Sequence, residues 1–159
     1  MADLEHHASR VVDQRPDVVH DRVLELAERV RDEAPPIEPG TEVATLLGVT
    51  GSPGIEVADR GAGGIEIRST RGRVRAEAVA SITPADGDRT SLAIGVVVRP
   101  QGFAANMMLG VALSARPQIR RDLVDGIERG MDDLAIELAK PDDEWNAGAW
   151  MPPGLPVRG

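Results

Sequence analysis

The chain of 159 residues has the length of one ordinary domain, and its 26 acidic and 18 basic residues give a net charge of −8. Folding of such a chain buries roughly 70% of its unfolded surface, so one hydrophobic core is expected. A negative net charge repels nucleic acid and anionic membrane surfaces unless basic side chains cluster locally, so no nucleic-acid partner is expected. The sequence contains no cysteine, which excludes disulfides, thiolate metal sites and cysteine nucleophiles.

The N-terminal segment and the apolar stretches predict a soluble, cytoplasmic protein. Residues 1–10, MADLEHHASR, lack the basic start and the apolar run of a secretory signal. The longest mostly apolar stretch, residues 102–115, is too short to cross a bilayer. No integral membrane segment is therefore expected.

The N-terminal part of the chain predicts a strand followed by an amphipathic helix. Partial alternation of β-branched residues over 5–14 favours the strand. Pro16 suits a first helical turn, and the proline pair at 35–36 ends the helix. Glu25 and Arg29 are placed for an i,i+4 ion pair on its exposed side. The apolar residues at helical spacing are Val19, Val23, Leu26 and Val30.

The middle of the chain predicts antiparallel strands joined by glycine-rich turns. The segments TEVATLLGV (41–49) and IEVAD (55–59) are candidates for short strands, and the strand count within 38–64 stays open. Alternation over 74–98 predicts a hairpin with one apolar and one charged face, and an apolar face of this kind needs a cover. The apolar face comprises Val74, Ala76, Ala78, Ala80, Ile82, Leu92, Ile94, Val96 and Val98.

The C-terminal part of the chain predicts that cover. Residues 102–115 are apolar with helical character, and Pro117 interrupts or restarts the helix. Apolar residues then recur at spacings of three and four up to Lys140. The opposite face of this helix is expected to be solvated, and it carries Arg121, Asp125, Glu128, Arg129 and Asp132. Residues 1–140 are predicted to form a single domain, and the Pro- and Gly-rich residues 141–159 an irregular tail.

This order of elements resembles the helix-grip fold of the START/Bet v 1-like superfamily (SRPBCC), which includes polyketide cyclase/dehydrase and lipid-transport proteins. The segments that carry the resemblance are VVDQRPDVVHDRVLELA, ITPADGDRTSLAIGVVVRP and MMLGVALSARPQIRRDLVDGIERGMDDLAIEL. The resemblance implies an α+β fold in which an antiparallel curved sheet wraps around a long C-terminal helix, in strand-helix-strands-helix order. It also implies a small hydrophobic ligand, such as a lipid, an isoprenoid or a polyketide-like compound, between the sheet and that helix.

The apolar face and the resemblance together predict where this ligand would bind. The small alanines of the first hairpin strand allow either close packing of the helix or a pocket of some hundreds of Å³. Asn106 would hold a polar atom of the ligand or cap the start of a helix, and Met107 and Met108 would adapt to the ligand or fill the core. The predicted ligand-binding residues are Val74, Ala76, Ala78, Leu92, Ile94, Val96, Asn106, Met107, Met108, Val111, Leu123 and Ile127.

The histidines and an arginine cluster have both functional and purely structural interpretations. His6 and His7 are adjacent on a predicted strand, so their side chains point to opposite faces and cannot easily share a metal. His20 has no second ligand at a convincing spacing, so no metal site is predicted. The arginines of RSTRGRVR (68–75) could bind an anion, but the alternation of Arg75 with apolar neighbours favours a solvated outer face.

Three functions remain open from the sequence. The first is binding or carriage of the hydrophobic ligand, and the second is a cyclase/dehydratase-type enzyme in which Asn106 orients a substrate in the same cavity. The third is a protein-interaction module with a filled core that uses the tail, with Trp145 and Trp150, or a sheet edge. No nucleophile elbow, phosphate-binding glycine loop or acid–base carboxylate pair is recognisable, so no catalytic residue and no cofactor is predicted. A homodimer stays open.

Overall fold

A computed structural model describes residues 4–149 except 35, 42–43, 46–47, 53 and 62–63, and it leaves out the side chains of residues 106, 108, 112, 113 and 149. The elements are β1 (Leu4–Val12), α1 (Pro16–Glu33), β2 (Ile55–Asp59), β3 (Ile65–Ser69), β4 (Val74–Pro84), β5 (Thr90–Pro100), α2 (Phe103–Ala115), α3 (Gln118–Leu138) and a 3₁₀ turn at Ala147–Ala149. The predicted order of strand, helix, strands and helix is confirmed.

The strands form one open antiparallel sheet in the order β1-β5-β4-β3-β2. The predicted hairpin is its centre: Ala78 of β4 lies opposite Val96 of β5. The N-terminal strand joins the other side of β5, where Ala8 lies opposite Ile94. Residues far apart in sequence therefore share one sheet face, because partners in an antiparallel register point to the same side.

The region whose strand count was left open contributes a single strand, β2, in its described part. The strand candidate at 41–49 is wrong for residues 44 and 45, which are helical. The Thr41 hydroxyl oxygen accepts a hydrogen bond from the backbone N–H of Ala44 at 3.2 Å, as an N-terminal helix cap does. This local cap outweighs the β-propensity of the neighbouring Val and Thr residues.

Two helices cover one face of the sheet. α3 packs on the edge strand β1, whereas α1 packs on β2, β3 and β4. The sheet and both covering helices contribute the largest fully buried apolar side chains: Val12, Val19, Ile65, Leu92 and Leu138. The predicted helix-grip architecture is confirmed, but the cover is shared between α1 and the C-terminal helix.

The ends of the helices follow the prolines. Pro117 separates α2 from α3, as predicted. At the end of α1, Ala34 has extended angles (φ −57°, ψ 126°), since a residue before proline avoids the helical region. None of the helices in the described residues is long and apolar enough to cross a membrane.

Residues 141–149 run back along α1 and are tied to it. The Arg22 guanidinium is buried and donates to the carbonyl oxygens of Leu138 (3.0 Å) and Lys140 (2.5 Å) and to the Asp142 carboxylate (2.7 Å). The Trp145 ring packs against the core, with its centroid 4.9 Å from the Arg22 guanidinium carbon. Trp145 is thus part of the packed structure, while Trp150 lies outside the described residues.

The predicted Glu25–Arg29 ion pair is wrong. The Arg29 guanidinium donates to Glu33 at 2.8 Å and to the backbone carbonyl of Ala147. The Glu25 carboxylate instead accepts a hydrogen bond from the Trp145 indole N–H at 3.0 Å. Residues 141–149 lie on this side of α1 and form hydrogen bonds with both side chains.

Candidate ligand-binding cavity

A cavity of about 350 Å³ lies between the sheet and the two covering helices. Its size falls in the usual range for small-molecule sites. Every lining residue is apolar: Val23, Leu26, Ala27 and Val30 of α1, Ile65, Ile67, Ala78, Ala80, Ile94 and Val96 of the sheet, and Leu123, Ile127, Gly130, Met131 and Leu134 of α3.

Small residues at the centre of the layers leave this space. Ala78 and Ala80 project from β4 toward the helices, and Gly130 presents no side chain from α3. Larger side chains at these three positions would fill the space, since protein interiors are otherwise packed with few voids. The sequence allowed either close packing of the helix or a pocket, and the structure contains a pocket.

The cover over this face of the sheet differs along its length. Leu92 and Leu138 are fully buried, and Arg22 binds the carbonyl oxygen of Leu138, the last residue of α3. Ala76, two residues before Ala78 on the same face of β4, is exposed, whereas Val74 at the start of the strand is buried. Ala76 therefore lies at a local gap in the cover.

An ionic cluster fastens α3 to the β1 edge of the cavity. His6 Nε2 lies 2.8 Å from Glu128 Oε1, and the Arg10 guanidinium donates to Glu128 (2.5 Å) and to Asp132 (2.7 Å). The hydrogen bonds from Arg10 and then from His6 lower the pKa of the Glu128 carboxyl. The prediction of a solvated face agrees with the exposed Asp132, but Glu128 is partly buried, because β1 presents His6 and Arg10 on the same face as its core residues.

A second pair fastens α1 to the opposite edge strand. His20 Nε2 lies 2.9 Å from Asp59 Oδ1, and the same oxygen accepts the Gly61 backbone N–H at 2.9 Å. The hydrogen bond with the Asp59 carboxylate raises the pKa of His20. The Gly61 N–H and then His20 lower the pKa of Asp59. His20 and Asp59 are 39 residues apart in sequence, so no local sequence pattern indicates that they form a pair.

The structure divides the predicted ligand-binding residues into three groups. Lining the cavity are Ala78, Ile94, Val96, Leu123 and Ile127. Outside its lining are the buried Val74 and Leu92 and the exposed Ala76, Met107 and Val111. The side chains of Asn106 and Met108 lie outside the description.

The differences between prediction and structure have two causes. α2 turns one stripe outward, so Met107 and Val111 face solvent. α2 begins at Phe103, so Asn106 lies inside the helix and does not cap its start. The sequence-based prediction omits the four α1 residues that line the cavity, although their helical periodicity is visible, because it assigns the whole cover to the C-terminal helix.

Three arginines of the cluster at 68–75 contact different partners. Arg68 pairs with Glu56 at 3.0 Å, Arg71 donates to the carbonyl oxygen of Ser52 at 2.7 Å, and Arg75 donates to that of Gly72 at 3.0 Å. These separate partners favour the solvated-face interpretation. In the described part of the chain, no group of three or more His, Asp or Glu side chains is placed to hold a metal ion.

No protein-family model and no curated protein sequence matches the chain. Solved structures that are similar to it include the following three. TTHA0849 from Thermus thermophilus is 16% identical over 86% of this chain and 99% of that protein, with a TM-score of 0.43. The di-domain ARO/CYC BexL from the BE-7585A biosynthetic pathway is 15% identical over 78% of this chain and 46% of that one, with a TM-score of 0.42. The Zhui aromatase/cyclase from a Streptomyces species is 13% identical over 91% and 99%, with a TM-score of 0.39. Likenesses this distant say nothing about ligand or activity.

Proposed function

We propose that this protein binds a small hydrophobic molecule in the cavity between the sheet and the helices, to sequester or carry it. The observation that carries the proposal is the entirely apolar lining of a cavity of about 350 Å³. Each lining side chain comes from a helix or a strand, so the site is held by regular elements. Burial of a ligand's apolar surface there contributes roughly 25 cal/mol per Å² before the costs of association.

The chemistry of the lining restricts the part of the ligand that enters. A charged or strongly polar group placed among these side chains would lose its hydration without gaining a hydrogen bond, which costs several kcal/mol. The buried part of the ligand is therefore hydrocarbon, as in a lipid chain, an isoprenoid or an aromatic polyketide-like ring system. Any polar group of the ligand lies where the cavity meets solvent.

Thermal unfolding in the presence of fatty acids, isoprenoid quinones and aromatic polyketides tests the proposal. A ligand that binds only the folded state stabilises it by about 2.7 kcal/mol at a hundredfold excess over Kd. We expect a saturable rise in Tm for one of these classes. A flat response to all of them, at concentrations where weak binding registers, contradicts ligand binding.

A cavity-filling substitution then locates the site. Ala78→Leu places three additional carbon atoms in the cavity and should weaken binding of the active compound at least about tenfold while the protein stays folded. Ala76→Leu is the matched control, because Ala76 lies on the same face of the same strand but is exposed and outside the lining. Isothermal titration of both variants measures the difference. Equal affinities would place the ligand elsewhere.

A cyclase/dehydratase-type enzyme that uses the same cavity is the second candidate. It is favoured by one observation: His6 lies opposite Val96, a lining residue, and its imidazole is hydrogen-bonded to Glu128. An imidazole–carboxylate pair at this edge could act as a general acid or base. Turnover of a bound polyketide-like compound should fall in His6→Gln but not in His7→Gln, whose side chain is exposed on the opposite face. The role of Asn106 as an orienting residue stays a prediction.

A further inference from the structure

The basic residues of this acidic protein are concentrated in two segments. Residues 67–76 and 90–121 contain eight arginines and no Asp or Glu. The rest of the chain therefore holds ten of the 18 basic residues and all 26 acidic ones, a net charge of −16 outside these segments. Such a distribution gives the molecule a strong charge asymmetry despite its negative net charge.

The fold brings the two segments together around α2. The backbone N–H of Gln101 donates to the carbonyl oxygen of Arg73 at 2.6 Å, and Arg75 lies opposite Arg99 in the sheet. This part of the chain leads directly into the first residue of α2, Phe103. Three exposed arginines follow the other end of the helix: Arg116, Arg120 and Arg121. Arginines thus flank both ends of a helix that carries no charged residue.

α2 also turns an apolar stripe to solvent. Phe103, Met107 and Val111 are spaced four residues apart, so they lie along one side of the helix. Phe103 is 80% exposed and Val111 65%. Only two other large hydrophobic side chains of the described residues, Val11 and Ile136, are exposed. The opposite side of α2 packs inward through Ala105 and Leu109.

We propose that α2 docks on the surface of a lipid bilayer that contains anionic phospholipids. The stripe of Phe103, Met107 and Val111 inserts into the boundary between headgroups and acyl chains, and the flanking arginines bind the phosphate groups. Interfacial helices combine these two features, an apolar face and nearby basic residues. The acidic remainder is repelled by the same surface, so the molecule can approach only with the α2 end first.

The arrangement distinguishes a membrane from a second copy of this chain as the partner. An interface between two copies of α2 related by a twofold axis would bring one arginine-flanked helix end against another, and like charges repel. An anionic lipid surface offers opposite charge across the whole patch. The proposal goes beyond ligand binding and does not require it.

Vesicle flotation of the full chain tests this docking. We expect the protein to float with vesicles of phosphatidylcholine mixed with phosphatidylglycerol and not with phosphatidylcholine alone, and bound protein to decrease as salt is raised. Arg120→Glu combined with Arg121→Glu should lower partitioning at least about tenfold, since each basic residue near an anionic surface contributes about fivefold. Met107→Ser combined with Val111→Ser should lower it by a similar factor.

Matched controls separate docking from general effects. Ile136→Ser removes an apolar side chain that is 65% exposed, as Val111 is, but lies on α3. Arg129→Glu reverses an exposed arginine outside the two segments. Both should bind vesicles like the wild-type protein. Circular dichroism and Tm verify that all variants are folded, which their exposed positions favour.

Three outcomes overturn the proposal. The first is no flotation of the wild-type protein with anionic vesicles at low salt. The second is equal binding to vesicles with and without phosphatidylglycerol, or equal losses in the control variants. The third is a wild-type dimer that fails to bind vesicles and becomes a monomer in the Met107/Val111 variant by light scattering, which would assign the stripe to a second copy of the chain.

Discussion

Arg22 carries its positive charge at a position that is only 4% exposed. Its guanidinium binds the carbonyl oxygens of Leu138 and Lys140 at the C-terminal end of α3, where the helix dipole leaves partial negative charge. These carbonyls have no partner within the helix, so one side chain of α1 satisfies the end of α3. This contact holds the end of α3 against α1.

Substitution of Arg22 should therefore be costly. Arg22→Met keeps the aliphatic volume and removes the donors, and we expect a loss of about 2–4 kcal/mol in the free energy of unfolding, because hydrogen bonds from a charged group are lost and buried acceptors remain. Arg31→Met, on the same helix but exposed, should change it by at most about 0.5 kcal/mol. Urea denaturation measures both. Similar losses in the two variants would contradict the capping role.

The His20–Asp59 pair makes stability depend on pH. The hydrogen bond with Asp59 raises the pKa of His20 in the folded protein, so the folded state binds this proton more tightly than the unfolded chain does. The resulting stabilisation is fully present below the ordinary histidine pKa of about 6.5 and is lost as pH rises through the folded value. The lowered pKa of Asp59 gives the opposite dependence on pH. Its stabilisation of the folded state is present above the ordinary carboxyl pKa and is lost as the pH falls and the carboxyl is protonated.

His20→Gln should consequently destabilise the protein more at about pH 5.5 than at about pH 8.5. Denaturant unfolding at the two pH values measures this difference. His7→Gln is the control, because the His7 side chain is exposed and bonded only to the exposed Glu5 among the described contacts. A loss that is the same at both pH values, or larger at alkaline pH, would show that protonation of His20 is not coupled to folding.

At the scale of elements, the segment after α3 connects the two covering helices. Trp145 packs against the core and donates its indole N–H to Glu25 of α1, while Arg29 binds the carbonyl of Ala147. The segment therefore holds α1 in place after α3 has ended. This connection explains how a cavity can persist between two helices that make few contacts with each other.

Trp145→Ala should destabilise the protein by about 2–3 kcal/mol, since it removes a large, partly buried ring. Trp145→Phe keeps a ring against Arg22 and removes only the indole N–H, so a loss of about 1 kcal/mol or less is expected. Thermal or urea unfolding compares the two. If both substitutions cost the same, the hydrogen bond to Glu25 rather than packing would hold the segment.

At the scale of the whole molecule, the sheet order decides where the cavity lies. β1 joins β5 at one edge and β2 joins β3 at the other, and each edge receives one helix. The centre of the sheet, where Ala78 faces Val96, is left between the helices. The sheet also brings the two arginine-rich segments together, because Arg75 of β4 lies opposite Arg99 of β5.

Several features followed from the sequence because they depend on neighbours along the chain. The alternation of apolar residues in β4 and β5 predicted their apolar face, and the recurrence of apolar residues every three or four positions predicted α1 and α3. Pro117 predicted the break between α2 and α3. The resulting α+β helix-grip class is confirmed. Five residues predicted from this periodicity line the cavity, because it puts them on faces that must be covered: Ala78, Ile94, Val96, Leu123 and Ile127.

The tertiary structure decided what depends on contacts between distant residues. Whether Ala76 is covered depends on where the helices end over the sheet, and alternation contains no information on that distance. The helix α1 lines the cavity because it shares the cover with α3, and the His6–Glu128 and Arg22–Leu138 contacts join residues more than a hundred positions apart. Periodicity determines which face of an element is apolar, but only packing determines what that face meets.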